Sequence, residues 1–270
     1  MAAHQQFWKS RQMPLDRACL WRLGRLRLWL ARAEREWGFA TESAENPEVL
    51  DSSFVPYDVI PNSLDWKHFA FENAPEQFEL WPAVPPRPVV VRADQAVAIP
   101  PRQSAKYFAC VPVWVELWVG APERHNQMKI GSVPTRMLSN TWFGNHATGE
   151  LCYSLRFAAT RQLDDLKLHP HHLICPIILE NHSEHTLDFH KLCLRTKHLA
   201  IYSGHEHFWS NVVRIRFSGK SREARVTYES KVPQFEDNLR LVSKAYEPAE
   251  RIFVGLTFKH PSPSDFQVLE

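Results

Sequence analysis

Residues 107–120 read YFACVPVWVELWVG, an apolar run broken by Pro112 and Glu116. Val113, Val115, Leu117 and Val119 recur at every second position, the period of a strand with one buried face. Trp114, Glu116 and Trp118 fall on the opposite face. Pro112 lacks the N–H that a central ladder needs, so it marks a strand start or an edge. The tryptophans either form a ligand surface or are covered by another part of the chain. Cover by the second domain or by residues 1–40 is the expected answer, because aromatic side chains commonly fill internal interfaces.

Working outward, Arg87–Arg92 (RPVVVR) and Ala96–Pro101 (AVAIPP) supply two further strand candidates with turn chemistry between them. Downstream come Cys175–Glu180 (CPIILE), Leu187–Arg195 (LDFHKLCLR), His198–Tyr202, Asn211–Phe217 (NVVRIRF) and a returning hairpin strand over 223–228. Ala249–Lys259 reads as a last strand or a docking element. At the N-terminus two readings compete. Leu15, Cys19, Leu23, Leu26, Leu30, Ala33 and Trp37 fit a helical stripe, whereas Leu26, Leu28 and Leu30 fit a strand. The hairpin is preferred, with Leu26–Arg32 turning through Ala33–Arg35 and returning through Trp37 and Phe39.

These elements predict an all-β protein of two β-sandwich domains, immunoglobulin-like or jelly-roll-like, with an N-terminal strand hairpin. The expected division is an extension over 1–19, a first sandwich over 20–160, a connector over 161–168, a second sandwich over 169–260 and a tail over 261–270. A length of 270 residues suits two domains, and 44% hydrophobic with 23% charged residues is ordinary for a folded chain. Only 9 Gly but 20 Pro fits short strands joined by proline turns.

A net charge of +2 is too small to capture nucleic acid, although residues 1–33 carry seven Lys or Arg against Asp16 alone. No signal peptide or membrane span is legible. The five cysteines include no C-x-x-C pair and lie mostly in apolar runs, as free core thiols of a reducing compartment do. A cytoplasmic location is expected.

The most diagnostic motif is Leu138–Arg156, LSNTWFGNHATGELCYSLR. Gly144 and Gly149 have the spacing of a phosphate loop, but Glu150 and Leu151 stand where Lys and Ser or Thr are required, and a carboxylate repels phosphate. A glycine-bounded turn between two strands fits better. Thr141, Trp142, Phe143, Gly144, Gly149 and Glu150 form the candidate binding or structural motif.

Together with Cys152, Tyr153, Cys175, Pro176 and the Leu192–Cys193–Leu194 strand, this motif resembles the domain of unknown function family 432, over at least Pro82–Phe217. Glu36 and Trp37 resemble a step in that family's N-terminal hairpin. The family has no established activity, so the resemblance supplies no catalytic residues. Bacterial members are often encoded beside small-conductance mechanosensitive channels, which implies a cytosolic accessory role at the inner membrane.

Nine of the 14 histidines lie within 169–207. On a strand, residues i and i+2 share a face, so His169 with His171, or His205 with His207, would present a two-nitrogen half-site for zinc, nickel or copper. Neither H-E-x-x-H nor finger spacing completes it, and exposed turn histidines are the commoner outcome. Cys152 and Cys175 have apolar neighbours and read as inert core thiols. Asp164 and Asp165 are adjacent and diverge, so they form no acid–base pair. Trp66, Trp81, Trp114 and Trp118 would suit either a sugar platform or internal packing.

The sequence therefore predicts a non-enzymatic binding or scaffold protein without a cofactor. Its expected partner is a protein, such as the cytosolic part of a membrane channel, and self-association stands open. The alternatives are a histidine-based metal enzyme or sensor and a carbohydrate-binding module.

Overall fold

The computed structural model describes residues 7–44, 52–120, 127–144, 146–147, 149–155, 159–166, 168–169, 171–205, 207–219, 223–247 and 252–255. The N-terminal part contributes β1 (Arg11–Gln12), β2 (Arg17–Leu23), β3 (Leu26–Ala33), β4 (Glu36–Ser43), β5 (Ser52–Tyr57), β6 (Lys67–Ala70) and β7 (Gln77–Ala83). The middle adds β8 (Val89–Ile99), β9 (Ser104–Pro112), β10 (Trp114–Val119), β11 (Met128–Pro134), β12 (Ser139–Phe143) and β13 (Glu150–Ser154). Then follow β14 (His172–Asn181), β15 (Leu187–Leu194), β16 (Ile201–Ser203), β17 (Phe208–Ser210), β18 (Val213–Phe217), β19 (Glu223–Tyr228), β20 (Arg240–Ser243) and β21 (Ile252–Gly255). The fold is all-β and built of several sheets.

Two sandwiches enclose the two largest buried cores. In the first, the sheet β5-β2-β3-β4-β6 faces the sheet β1-β7-β10-β11 across Trp21, Leu28, Trp37, Phe78, Leu80, Val115 and Leu117. In the second, β12-β13-β8-β15 faces a mixed sheet centred on β14, across Val89, Val91, Tyr107, Ile177, Phe189, Leu194 and Val213. β9 runs antiparallel along one side of β14, and β17 and β18 lie end to end and parallel on the other. The register slips where these two meet. There the buried Asn211 accepts the Ala200 N–H at 3.0 Å and donates to the His198 carbonyl at 3.2 Å, satisfying backbone groups that the broken ladder leaves over.

The strand run at 107–120 is two strands in two sheets. Pro112 ends β9 in the second sandwich and Trp114 begins β10 in the first, so Val113 packs in one core while Val115 and Leu117 pack in the other. The missing N–H of Pro112 explains why the ladder breaks there. As expected, Val113, Val115, Leu117 and Val119 are all buried.

The division at 161–168 does not follow the strand pairing. β8 pairs with β15 and β9 with β14, so residues placed in the first sandwich by sequence belong with the second. The two sandwiches interleave along the chain, and the crossings lie at Val84–Val89, Pro112–Trp114 and Pro134–Ser139. Of the expected extension over 1–19, residues 7–19 are not simply an extension, since Phe7 and Met13 are buried in the first core and β1 pairs with β7. The two candidates at 87–92 and 96–101 are one long strand, β8, whose register against β15 shifts between Phe189 and Lys191. The expected N-terminal hairpin is β3–β4, with Leu30 opposite Phe39 and Arg32 opposite Trp37. The tail at 261–270 lies outside the described residues.

Candidate functional site

The diagnostic motif folds as the β12–β13 hairpin, in which Phe143 pairs with Glu150 and Trp142 with Leu151. Gly144 has φ +104, and a Cβ there would lie 2.8 Å from the Gly149 Cα, so this turn needs glycine on both counts. Alternation along β12 sends Phe143 into the core and leaves Trp142 48% exposed, with Leu151 44% exposed beside it. β12 is the last strand of its sheet among the described residues. Thr141 pairs with Cys152 on this hairpin.

On the other face, Glu150 and Cys152 share a side of β13, being two residues apart. β13 joins β8 only at Tyr153–Val89 and Ser154–Val90, while β15 reaches Val89 from the other flank at Leu194. Where β8 begins, the two flanking strands therefore face one another directly. Cys152 Sγ lies 3.7 Å from Cys193 Sγ, and Cys193 Sγ lies 3.8 Å from Glu150 Oε1. Arg195 binds the same carboxylate at 2.9 Å, and its backbone N–H donates to the Tyr228 hydroxyl at 2.8 Å. Both thiols are buried, and burial pushes their pKa values up. Among the described residues, Glu150, Cys152 and Cys193 are the set whose ligand atoms all lie within 4.8 Å of one another.

The predicted histidine half-sites come out differently. His169 and His171 do approach, with ring centroids 5.3 Å apart, and His172 joins them at 4.8 and 4.7 Å. The Nδ1 atoms of His169 and His171 are buried without a hydrogen-bond partner. His171 is pressed against the β2–β3 turn, where a Cβ on Gly24 would lie 2.4 Å from its Cε1. Burial, with the charges of His169 and Arg136, lowers the His171 pKa to about 3. The three imidazoles thus form a packed wall whose ligand atoms do not converge as the Glu150 group does. His205 and His207 sit in the β16–β17 loop, His205 exposed and its N–H bonded to Glu236.

A family model described as a protein of unknown function (DUF432) matches residues 7–259. The chain belongs to the DUF432 family. Neither the curated proteins nor the solved structures contain a match to it. Three of the residues on which the sequence resemblance of this DUF432 chain rests, Glu150, Cys152 and Cys193, meet in space.

Sequence reasoning missed that convergence because Cys193 was read only as part of an apolar strand. A signal was present in the repeated i, i+2 pairing of a polar residue with cysteine, Glu150 with Cys152 and Cys193 with Arg195. Cys175 stays apart as a fully buried thiol with its pKa pushed up to about 12 by burial.

The tryptophans of this DUF432 chain do not form one platform. Trp66 packs on the outer face of the β2–β3–β4 sheet, and its indole N–H donates to the Pro61 carbonyl at 2.8 Å. Trp114 is buried and stacks towards Tyr153 with centroids 5.6 Å apart. Trp81 and Trp118 line a cavity of about 220 Å³ with Glu116 and Tyr246. The Glu116 carboxylate is held there by Lys129 at 3.1 Å, Tyr246 Oη at 2.8 Å and the Trp118 indole at 3.1 Å. Residues 243–246 of the chain's last third cover this face, the internal cover expected from the sequence.

A larger cleft, about 700 Å³, runs between the first-sandwich hairpin and the Pro134–Ser139 crossing. Arg25, Lys67 and Arg136 line it, Glu42 is the acidic residue among its walls, and Ser139 and Ser154 of the β12–β13 hairpin close one end.

Proposed function

We propose that this DUF432 protein is a non-enzymatic, cytoplasmic protein-binding module that receives an extended segment of a partner along the β12 edge. The observation that carries this reading is Trp142 on β12, the terminal strand of its sheet among the described residues, directly across from Leu151 on β13, both about half exposed. An edge strand offers unpaired backbone donors and acceptors to an incoming strand, and an adjacent aromatic–aliphatic pair supplies the anchor that backbone pairing alone lacks. Aromatic anchors of this kind carry a large share of binding energy in protein interfaces.

The basic walls of the neighbouring cleft favour a partner segment with acidic residues beside its strand. The cytosolic part of a mechanosensitive channel is the first candidate, on the strength of the gene-neighbour association that the family resemblance brings. Among the described residues no helix is long and apolar enough to cross a membrane.

The test is capture of intact complexes from native membranes by the full chain and by the Trp142→Ser/Leu151→Ser double variant. The reading expects a stoichiometric partner with the natural chain and at least a tenfold loss with the double variant. Recovery of the isolated monomer alone would overturn it, and a mass equal to two copies of the chain would replace the heterologous partner by self-association.

A further inference from the structure

The hairpin that exposes Trp142 outside also carries Glu150 and Cys152 inside, and these are independent of the edge. We propose that Glu150, Cys152 and Cys193 form a binding site for one thiophilic divalent cation of the zinc class, with two thiolates and one carboxylate as ligands and Arg195 as the outer partner of the carboxylate.

The argument begins with distances. A tetrahedral zinc ion has bonds of about 2.3 Å to sulfur and about 2.0 Å to oxygen, which sets its sulfur–sulfur edge near 3.8 Å and its sulfur–oxygen edge near 3.5 Å. Here the corresponding separations are 3.7 Å between Cys152 Sγ and Cys193 Sγ and 3.8 Å between Cys193 Sγ and Glu150 Oε1. Two edges of the coordination polyhedron are therefore preformed to within a few tenths of an ångström. The three ligands come from β13 and β15, strands pinned on both flanks of β8, so the geometry belongs to the sheet rather than to a loop.

Charge points the same way. Each thiol gives up its proton as its sulfur bonds to the cation, so one dication replaces two protons and the group keeps its net charge. Glu150 and Arg195 already cancel one another at 2.9 Å. The bound group, two thiolates, one carboxylate, one dication and one guanidinium, is neutral and suited to a mostly buried position. Arg195 Nη2 donates to the same Glu150 Oε1 at 2.9 Å, a hydrogen bond of the kind that orients a ligating carboxylate. The cysteines are buried, whereas the side chains of Glu150 and Arg195 are 31% and 27% exposed, which gives the cation an entry and leaves room for a water as fourth ligand. Two sulfurs select zinc-class ions over magnesium or calcium. The bound ion would clasp β13 to β15 beyond the start of β8, directly behind the exposed hairpin.

Cobalt(II) reports on the site, because tetrahedral thiolate coordination gives sulfur-to-cobalt charge-transfer and intense ligand-field absorption. The full chain, prepared reduced and without a histidine tag, is titrated with Co²⁺ and then with Zn²⁺. The expected result is saturation at one equivalent, displacement by zinc, loss of the sulfur band in Cys152→Ser and in Cys193→Ser, and at least tenfold weaker binding in Glu150→Gln. Should a cysteine variant fold poorly, X-ray absorption of the zinc-loaded natural chain should show two sulfur scatterers at about 2.3 Å. Absence of the sulfur band, a zinc shell of nitrogen and oxygen alone, or a band that survives in both cysteine variants and disappears in His171→Leu would overturn the proposal. So would finding Cys152 joined to Cys193 as a disulfide in the protein as it is isolated from reducing cytosol-like conditions.

Discussion

The second sandwich holds two groups of ligand-type side chains, assembled in opposite ways. His169, His171 and His172 are neighbours in sequence, and they end as rings packed on one another, with His171 against Gly24. Glu150, Cys152 and Cys193 are separated by up to 43 residues, yet their ligand atoms converge. Adjacent residues on an irregular segment point in whatever directions packing leaves them. Alternate residues on strands flanking a third strand point to one side at a fixed spacing. The first arrangement yields a packed wall of rings, and the second yields a candidate coordination site.

Breaking the histidine wall should have the largest effect. Gly24 has φ +57 and no space for a Cβ beside His171, so Gly24→Ala should lower stability by about 2–4 kcal/mol through backbone strain and overpacking. His171→Ala in the same chain should restore part of that loss, as read by denaturant midpoints in a double-mutant cycle.

Acid should act on the same wall next. The His171 pKa is depressed in the folded chain, so the unfolded chain takes up the proton first and stability falls as pH drops below the ordinary histidine value towards about 3. The slope from this one group is at most about 1.4 kcal/mol per pH unit. Glu180 acts in a lower window that overlaps the bottom of the first. Partial burial raises its pKa, but the bonds from Arg216, Arg214 and His182 outweigh burial and hold it at about 2, so its contribution is lost only from the ordinary carboxylate range downwards. Denaturant unfolding at stepped pH should show His171→Leu flattening the upper limb and leaving the lower one in place.

Smaller effects should mark the other group. Arg195→Met removes the ion partner of a carboxylate that is about one-third exposed, and a loss of about 1 kcal/mol is expected without change in the upper pH limb. Trp142→Ser should move the unfolding midpoint by less than about 0.5 kcal/mol, since the side chain is half exposed, while reducing partner capture.

How much of this was legible in the sequence depends on the range of the interaction. Alternation at Val115–Val119 and the glycines at 144 and 149 are local signals, and they yielded a strand face and a turn that the structure contains. The N-terminal hairpin was legible because Leu26, Leu28 and Leu30 keep the strand period. What stayed hidden was non-local. Nothing within β8 or β9 says that they pair with strands 60 to 105 residues further on, so the two sandwiches were cut at the wrong place. Proline at 112 marked a break but could not reveal that the chain changes sheets there. For the same reason the histidine cluster drew attention by sequence density, while Cys193 became informative only when its partner strand was known.

The most direct test of the contrast is anomalous X-ray scattering at the zinc edge, from crystals of the full chain grown with one equivalent of zinc. One peak is expected, within bonding distance of both Cys152 Sγ and Cys193 Sγ and of a Glu150 carboxylate oxygen. A peak among His169, His171 and His172 with none at the sulfurs would contradict the account.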